Sequence, residues 1–320
     1  MKVYLTGGTG FLGARIIQYL LNDPAVDGVV TLHRDENKKR MLENFLGDKP
    51  ELSFIKGDLT DSGIGGSGCD VLVHAAAMRN ISACEKDNQQ ARRINVDGTR
   101  NLFSDASAAG VRKVVFFSSQ SVYSLSEETL YTEDVNPGPR TYYGKTKLAG
   151  EQLARESGME YIIFRPSRII GPGIFQNTDN FISFIMPEKI LDSREISLFG
   201  HIYKKYNCID NRDCAVALSS VLVCGEAWNQ TYNLSNDSGI SMNEINELYS
   251  SMVKKGTYRT LYFDIVDEES EILIPNGKLR NVVGWRPVYK YEDSLRDRLI
   301  ERAAESGRVD CLDPKVGIRE

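Results

Sequence analysis

Short apolar runs alternate with longer stretches of helical spacing through the first half of this chain. Val3–Leu5, Val29–Leu32, Leu52–Lys56, Val71–His74 and Val114–Ser118 read as strands, the kind buried on both faces of a sheet. Apolar residues at helical spacing mark Ala14–Leu21, Glu36–Phe45, Gln89–Ala109 and Lys145–Arg155 as helices. Strand, helix, strand in this rhythm predicts right-handed crossovers and an α/β fold on a doubly wound parallel sheet. Ligands of such sheets bind beyond the carboxyl ends of the strands, so the residues just after each strand matter most.

The alternation loosens from Gly171 onward. Phe175–Leu191 carries Phe181, Phe184 and Ile185 at helical spacing and is a candidate wall of a substrate pocket. Glu195–Phe199 reads as a strand and Ala215–Val223 as an apolar helix returning to the first half. Ser241 and Glu244 form a capping box for a helix over Glu244–Lys254. Tyr291–Ala304 is a charged terminal helix, and Glu305–Glu320 is polar enough to fray. With no repeat or flexible linker, two interleaved units are expected. Residues 1–166 plus about 208–235 bind a nucleotide cofactor, and 167–207 plus 236–320 form a smaller, mostly helical substrate unit.

Composition narrows the function classes. The net charge of −5 argues against a polyanion binder, so no nucleic-acid partner is expected. No apolar run approaches the roughly 20 residues needed to span a bilayer, so no membrane is expected either. Six scattered cysteines without a C-x-x-C pair, and only three histidines, fit reduced thiols in a cytoplasm and no metal site.

The chemistry starts at the first strand. Gly7, Gly10 and Gly13 follow it at G-x-x-G-x-x-G spacing and open a helix, so Gly7, Gly10, Phe11, Leu12 and Gly13 form a candidate phosphate loop. The first glycine permits a tight turn, the second lets a pyrophosphate approach, and the third lets helix and strand pack closely. The second strand ends in His33 and Arg34 where an NAD enzyme usually has an acid. A guanidinium there suits a 2′-phosphate, which favours NADP(H) over NAD(H). Asp58 and Leu59 after the third strand, and Ala75, Ala76 and Ala77 after the fourth, suit an adenine contact and close backbone approach. The fifth strand ends in Ser118 and Ser119. Tyr143 and Lys147 lie at i and i+4 on one helix face, where an ammonium is expected to lower the phenol's pKa. Ser119, Tyr143 and Lys147 are therefore the candidate catalytic set, with Tyr143 moving a proton and Ser119 holding an oxygen.

These motifs resemble those of the extended short-chain dehydrogenases/reductases, NAD(P)-dependent sugar-nucleotide epimerases, dehydratases and reductases. The resemblance runs through T-G-G-T-G-F-L-G at 6–13, G-D-L at 57–59, H-A-A-A at 74–77 and I-N-V-D-G-T at 94–99. It continues through S-S-Q-S-V-Y at 118–123, Y-Y-G-K-T-K at 142–147, R-P-S-R-I-I-G-P-G at 165–173, I-D-N-R-D-C-A at 209–215, Y-N-L-S at 232–235 and G-W-R-P at 284–287. It implies a Rossmann sheet, a cofactor contact at Ser118, and Lys147 on the nicotinamide ribose. It also implies Pro166 and Ser167 near the nicotinamide and a structural role for Asn95. Many members pair as dimers, so a homodimer is implied as well.

Departures sharpen the expectation. Gln120 and Ser121 replace the Asp-Glu pair of the 4,6-dehydratases, which disfavours dehydration. Tyr206 stands where many members carry an Arg for the substrate diphosphate, and Arg168 replaces an Asn. Arg79, Ser121, Arg168, Lys205 and Tyr206 are the candidate substrate residues. The expected substrate is a sugar nucleotide and the expected activity epimerisation or reduction. A reductase of small aldehydes or ketones is the alternative, and a non-catalytic cofactor sensor the least favoured reading.

Overall fold

The computed structural model describes residues 1–66, 68–123, 130–175, 180–264 and 272–316. Six strands appear in the first half: β1 (Lys2–Thr6), β2 (Gly28–His33), β3 (Leu52–Lys56), β4 (Val71–His74), β5 (Lys113–Phe117) and β6 (Glu160–Pro166). Between them run α1 (Phe11–Leu20), α2 (Glu36–Leu46), α3 (Ile81–Lys86), α4 (Asn88–Arg92), α5 (Gly98–Ala108) and α6 (Tyr142–Glu156). The short strands β7 (Arg168–Ile170), β8 (Glu195–Gly200), β9 (Lys205–Tyr206) and β10 (Cys208–Asp210) follow, then β11 (Gln230–Leu234), β12 (Ile240–Ser241) and β13 (Arg259–Asp264). The remaining helices are α7 (Met186–Leu191), α8 (Asn211–Leu222), α9 (Met242–Met252), α10 (Gly277–Val283) and α11 (Tyr291–Glu305).

Seven strands form one parallel sheet in the order β11-β6-β5-β4-β1-β2-β3. The chain reverses direction across the sheet between β1 and β4, the place where a doubly wound sheet opens a crevice. Strand side chains alternate between two cores. Val3, Leu5, Val73 and Phe117 meet Ile16, Ile17, Leu218 and Val221 on one face. Tyr4, Leu72, Val114 and Phe116 meet Leu102, Phe103 and Ala154 on the other. Apolar residues on both faces explain why these strands read as continuous runs rather than alternations. A further core gathers Ile182, Met186, Ile196, Leu198, Tyr249, Leu295 and Leu299 from the later elements.

Several expectations change. The helix expected over Gln89–Ala109 is α4 and α5 joined by a π-turn at Arg93–Asp97. Within that turn the Asn95 amide donates to the Met78 carbonyl and to Thr146, and its oxygen accepts from the Met78 N–H at 2.7 Å. A side chain tied on both sides in this way is a plain reason for an extra residue in the turn. The segment expected as one helix from Phe175 becomes a π-turn at Phe181–Ile185 running into α7, while 176–179 lie outside the described residues. The tail expected to fray is ordered through Val316: Leu312 is buried, and the Asp313 N–H donates to the Met252 carbonyl. Residues 317–320 lie outside the described part. The capping box at Ser241 and Glu244 forms with both of its hydrogen bonds, and it opens α9 two residues earlier than read, at Met242.

Candidate active site

All seven strands run the same way, so their carboxyl ends line one rim. That rim gathers Gly7, Arg34, Asp58, Ala75, Ser119 and Ser167 from distant parts of the chain.

The glycine loop is shaped by close approach. Gly7 has φ +84°, and a Cβ there would come within 2.8 Å of the Ala76 nitrogen. A Cβ on Gly13 would collide with the Gly7 carbonyl oxygen. Only glycine fits both positions. The loop closes through the Gly10 N–H on the Gly7 carbonyl at 3.0 Å, and Gly10 caps α1 with no side-chain hydrogen bond. The first turn of α1 carries no acid, so its N–H groups face the crevice with their positive end intact. Phe11, next in line, packs edge-on against Phe184 with centroids 5.3 Å apart, which brings the π-turn segment over the loop.

At the far rim, Arg34 donates to Asp58 Oδ2 at 2.8 Å. Burial works to raise the Asp58 carboxyl, but the Thr60 backbone and hydroxyl and the Arg34 guanidinium outweigh it and hold it below its ordinary range. Asp35, one residue beyond Arg34, is an acid that sequence reasoning passed over. Its carboxylate caps α2 by accepting from Asn37 and Lys38 N–H groups, so it is committed to the helix rather than to the rim. His33 is buried with its Nδ1 unpartnered among the described residues.

At the near rim, Ser119 begins a short 3₁₀ turn and its hydroxyl accepts from the Ser121 N–H at 3.1 Å and donates to Ser121 Oγ at 3.2 Å. Tyr143, at the start of α6, feels the same hydroxyl, which works to lower its pKa. Lys147, one turn further along α6, is buried and donates to the Phe117 carbonyl at 2.6 Å. The expected acidification of Tyr143 by Lys147 is corrected here. Burial pushes the Tyr143 phenol up to about 12, with the Ser119 hydrogen bond and the Arg79 charge acting downward. Burial also drives Lys147 down to about 8, against the pull of Glu151. Helical spacing places the two on one face, but desolvation sets their charge states.

Ser118 was expected on the cofactor, yet its hydroxyl donates inward to Glu151 Oε1 at 2.7 Å. Ser167 is buried with its Oγ unpartnered among the described residues, beside Pro166 at the end of β6. Arg168 and Tyr206 do come together: the guanidinium lies 4.7 Å from the ring centroid. Lys205 pairs with Glu244 at 3.2 Å instead of standing free. Leu59 is buried, and Ala75, Ala76 and Ala77 line the half-buried segment after β4.

The glycine cradle, the uncommitted N-terminus of α1 and the orphaned Ser167 hydroxyl together fit a dinucleotide along this rim. A model of the NAD dependent epimerase/dehydratase family matches residues 3–235. This chain belongs to that family. It is an enzyme of the extended short-chain dehydrogenase/reductase type, on a Rossmann sheet. It is 27% identical to a UDP-glucose 4-epimerase of Vibrio cholerae, over 92% of this chain and 93% of that enzyme. It is 24% identical to a dTDP-D-glucose 4,6-dehydratase of Mus musculus, covering 92% and 86%. Among solved structures it resembles the UDP-glucuronic acid 4-epimerase from Bacillus cereus, in complex with UDP-glucuronic acid and NAD. That match has a TM-score of 0.83 and 21% identity, over 95% of this chain and 100% of that one. A UDP-glucose 4-epimerase from Thermotoga maritima matches with TM-score 0.82 and 19% identity, over 96% and 100%. At such identities the structural likeness carries the fold alone.

Proposed function

We propose that this enzyme epimerises a sugar nucleotide at a carbinol carbon, with Tyr143 as acid/base. The observation that carries the reading is the convergence of Ser119 with Tyr143 and buried Lys147, one helix turn apart on α6, at the rim of the glycine loop. A bound nicotinamide dinucleotide supplies hydride acceptance and return. In this reading Tyr143 acts as its phenolate, taking the proton of the sugar hydroxyl and later giving it back, and Ser119 holds the same oxygen. Lys147 binds the nicotinamide ribose with its ammonium, and Ser167 offers its unpartnered hydroxyl to the nicotinamide side. Gln120 has no proton to exchange where a dehydratase pair would begin, which supports epimerisation over water loss.

Substrate recognition falls to residues 167–207 and 236–320 together with Arg79 and Ser121. The stacked Arg168–Tyr206 pair offers a cation for the substrate diphosphate where Tyr206 occupies the usual Arg position. Arg34, 70% exposed at the adenosine end, supports NADP over NAD. The relatives with a bound cofactor carry NAD, so the two dinucleotides must be compared directly.

The deciding experiment incubates the protein with NAD or NADP and UDP-glucose, UDP-galactose or UDP-glucuronic acid, and separates the products by chromatography. Interconversion without net cofactor reduction, absent in Tyr143→Phe, is expected. Stoichiometric consumption of NADPH on a keto-sugar with no interconversion would replace the epimerase reading by the reductase one.

A further inference from the structure

Beneath Lys147 lies a buried ionic network that none of the proposed catalytic residues requires for its own hydrogen bonds. Glu151, one turn after Lys147 on α6, is fully buried. Arg165 on β6 grips it with two parallel bonds, Nε to Oε1 at 2.9 Å and Nη2 to Oε2 at 2.8 Å. The third guanidinium nitrogen donates to the Tyr123 hydroxyl at 3.0 Å, and Tyr123 closes the turn that carries Ser119. Ser118 donates to the same carboxylate, and Arg155 reaches its outer oxygen at 3.1 Å. One guanidinium therefore joins the helix bearing Tyr143 and Lys147 to the strand end bearing Ser118 and Ser119.

We propose that the Glu151–Arg165 pair is a positioning device for the Ser119–Tyr143–Lys147 set, with Arg165 holding the two elements in register and the Glu151 carboxylate sustaining the ammonium of Lys147. Around that ammonium stand the Phe117 carbonyl and the Phe116 ring at 4.8 Å, and its charge is felt by Glu151 and, on β4, by His74. Burial, then the Lys147 charge, lowers His74 to about 3, so it is neutral and contributes no counter-charge. Glu151 supplies the opposing pull that limits the fall of Lys147. A buried pair is seldom retained for stability alone, since apolar replacements often serve as well. Its place between the two catalytic elements supports a role in function.

This inference rests on the reading that Lys147 holds the cofactor ribose. Its test titrates NAD and NADP into the protein by calorimetry across a pH series. Wild-type affinity is expected to fall as pH rises through about 8, where Lys147 loses its proton. In the Glu151→Gln/Arg165→Met variant, which removes both charges together, the midpoint of that fall should move down by about one pH unit. Glu151→Gln alone keeps the shape of the side chain but removes the carboxylate, and it should move the midpoint the same way. Either variant, if folded, serves the test. A midpoint unmoved in a folded variant overturns the positioning role while leaving the ribose contact standing. Wild-type affinity flat across the series overturns the ribose contact, and the ammonium role with it.

Discussion

Arg34 and Asp58, at the ends of neighbouring strands β2 and β3, are paired across 2.8 Å. Each was expected on a different part of the cofactor, one at the ribose and the other at the adenine. In the free protein they hold one another. Exposed pairs of this kind contribute little stability, roughly 0–1 kcal/mol, so a ligand phosphate can take over the guanidinium readily. Arg34→Ala should weaken NADP roughly 10- to 100-fold while barely altering NAD, the scale of losing hydrogen bonds to a charged group. Calorimetry with both dinucleotides checks this, and an equal loss for the two would remove the case for a 2′-phosphate contact. Asp58→Asn releases Arg34 and should leave NADP bound at least as well as in wild type.

Burial pushes the Tyr143 phenol up to about 12 in the free protein, so it must shed its own proton to solvent before its phenolate can take the sugar's. Tyr143→Phe keeps the ring and the packing of α6 but removes the oxygen that takes and returns the sugar's proton. Turnover of the interconverted UDP-sugar should fall roughly 10²- to 10⁴-fold, the usual worth of a positioned acid/base. Cofactor affinity should stay close to wild type, because the phosphate loop is untouched. Residual turnover near wild type would place the proton transfer elsewhere.

Five of the seven strands of the sheet and the phosphate loop were legible because each rests on local pattern: apolar runs for β1 to β5, glycine spacing for the turn. β6 was passed over although Tyr161–Phe164 is such a run. β11 was not legible, because its Gln230, Thr231 and Asn233 break the apolar run, and Asn233 is buried through bonds to Tyr123 and the Tyr131 carbonyl. Helical spacing placed Tyr143 and Lys147 together correctly. It carried no information on burial, and burial decides both of their charge states. The signal for Glu151 was present, since it continues the same i, i+4 series, but its partner Arg165 lies on another strand. Lys205 was read as a candidate substrate contact, and only the fold brings Glu244 to it.

The charge on Lys147 has a cost that stability measurements can read. Its folded pKa of about 8 lies below the ordinary lysine value of 10.5, so the unfolded chain binds more protons between those limits. Stability therefore rises with pH across that window, and below it the buried ammonium carries its full penalty, on the order of 3 kcal/mol. Lys147→Met should raise the melting temperature at neutral pH while abolishing turnover. Wild type should close the gap as pH climbs from about 8 toward the ordinary lysine range. A variant less stable than wild type at neutral pH would mean that the Phe117 hydrogen bond outweighs the desolvation of the ammonium.

Asp213 makes the opposite prediction in acid. It is fully buried on α8, and its two oxygens accept from the Val288 N–H at 2.8 Å and the Tyr289 N–H at 3.2 Å, pinning the segment that leads into α11. Burial, with Asp210 nearby, drives its carboxyl up to about 7 against those two hydrogen bonds and the Arg212 charge. A raised acid binds its proton more tightly in the folded chain, so it contributes most below the ordinary aspartate range of about 4 and loses that contribution as pH rises through about 7. Asp213→Asn cannot titrate. Its melting temperature should lack the decline that Asp213 gives wild type between about pH 4 and pH 7, measured at constant ionic strength. Identical slopes for the two proteins would show that Asp213 stays ionised throughout, held by its two N–H donors more firmly than burial opposes them.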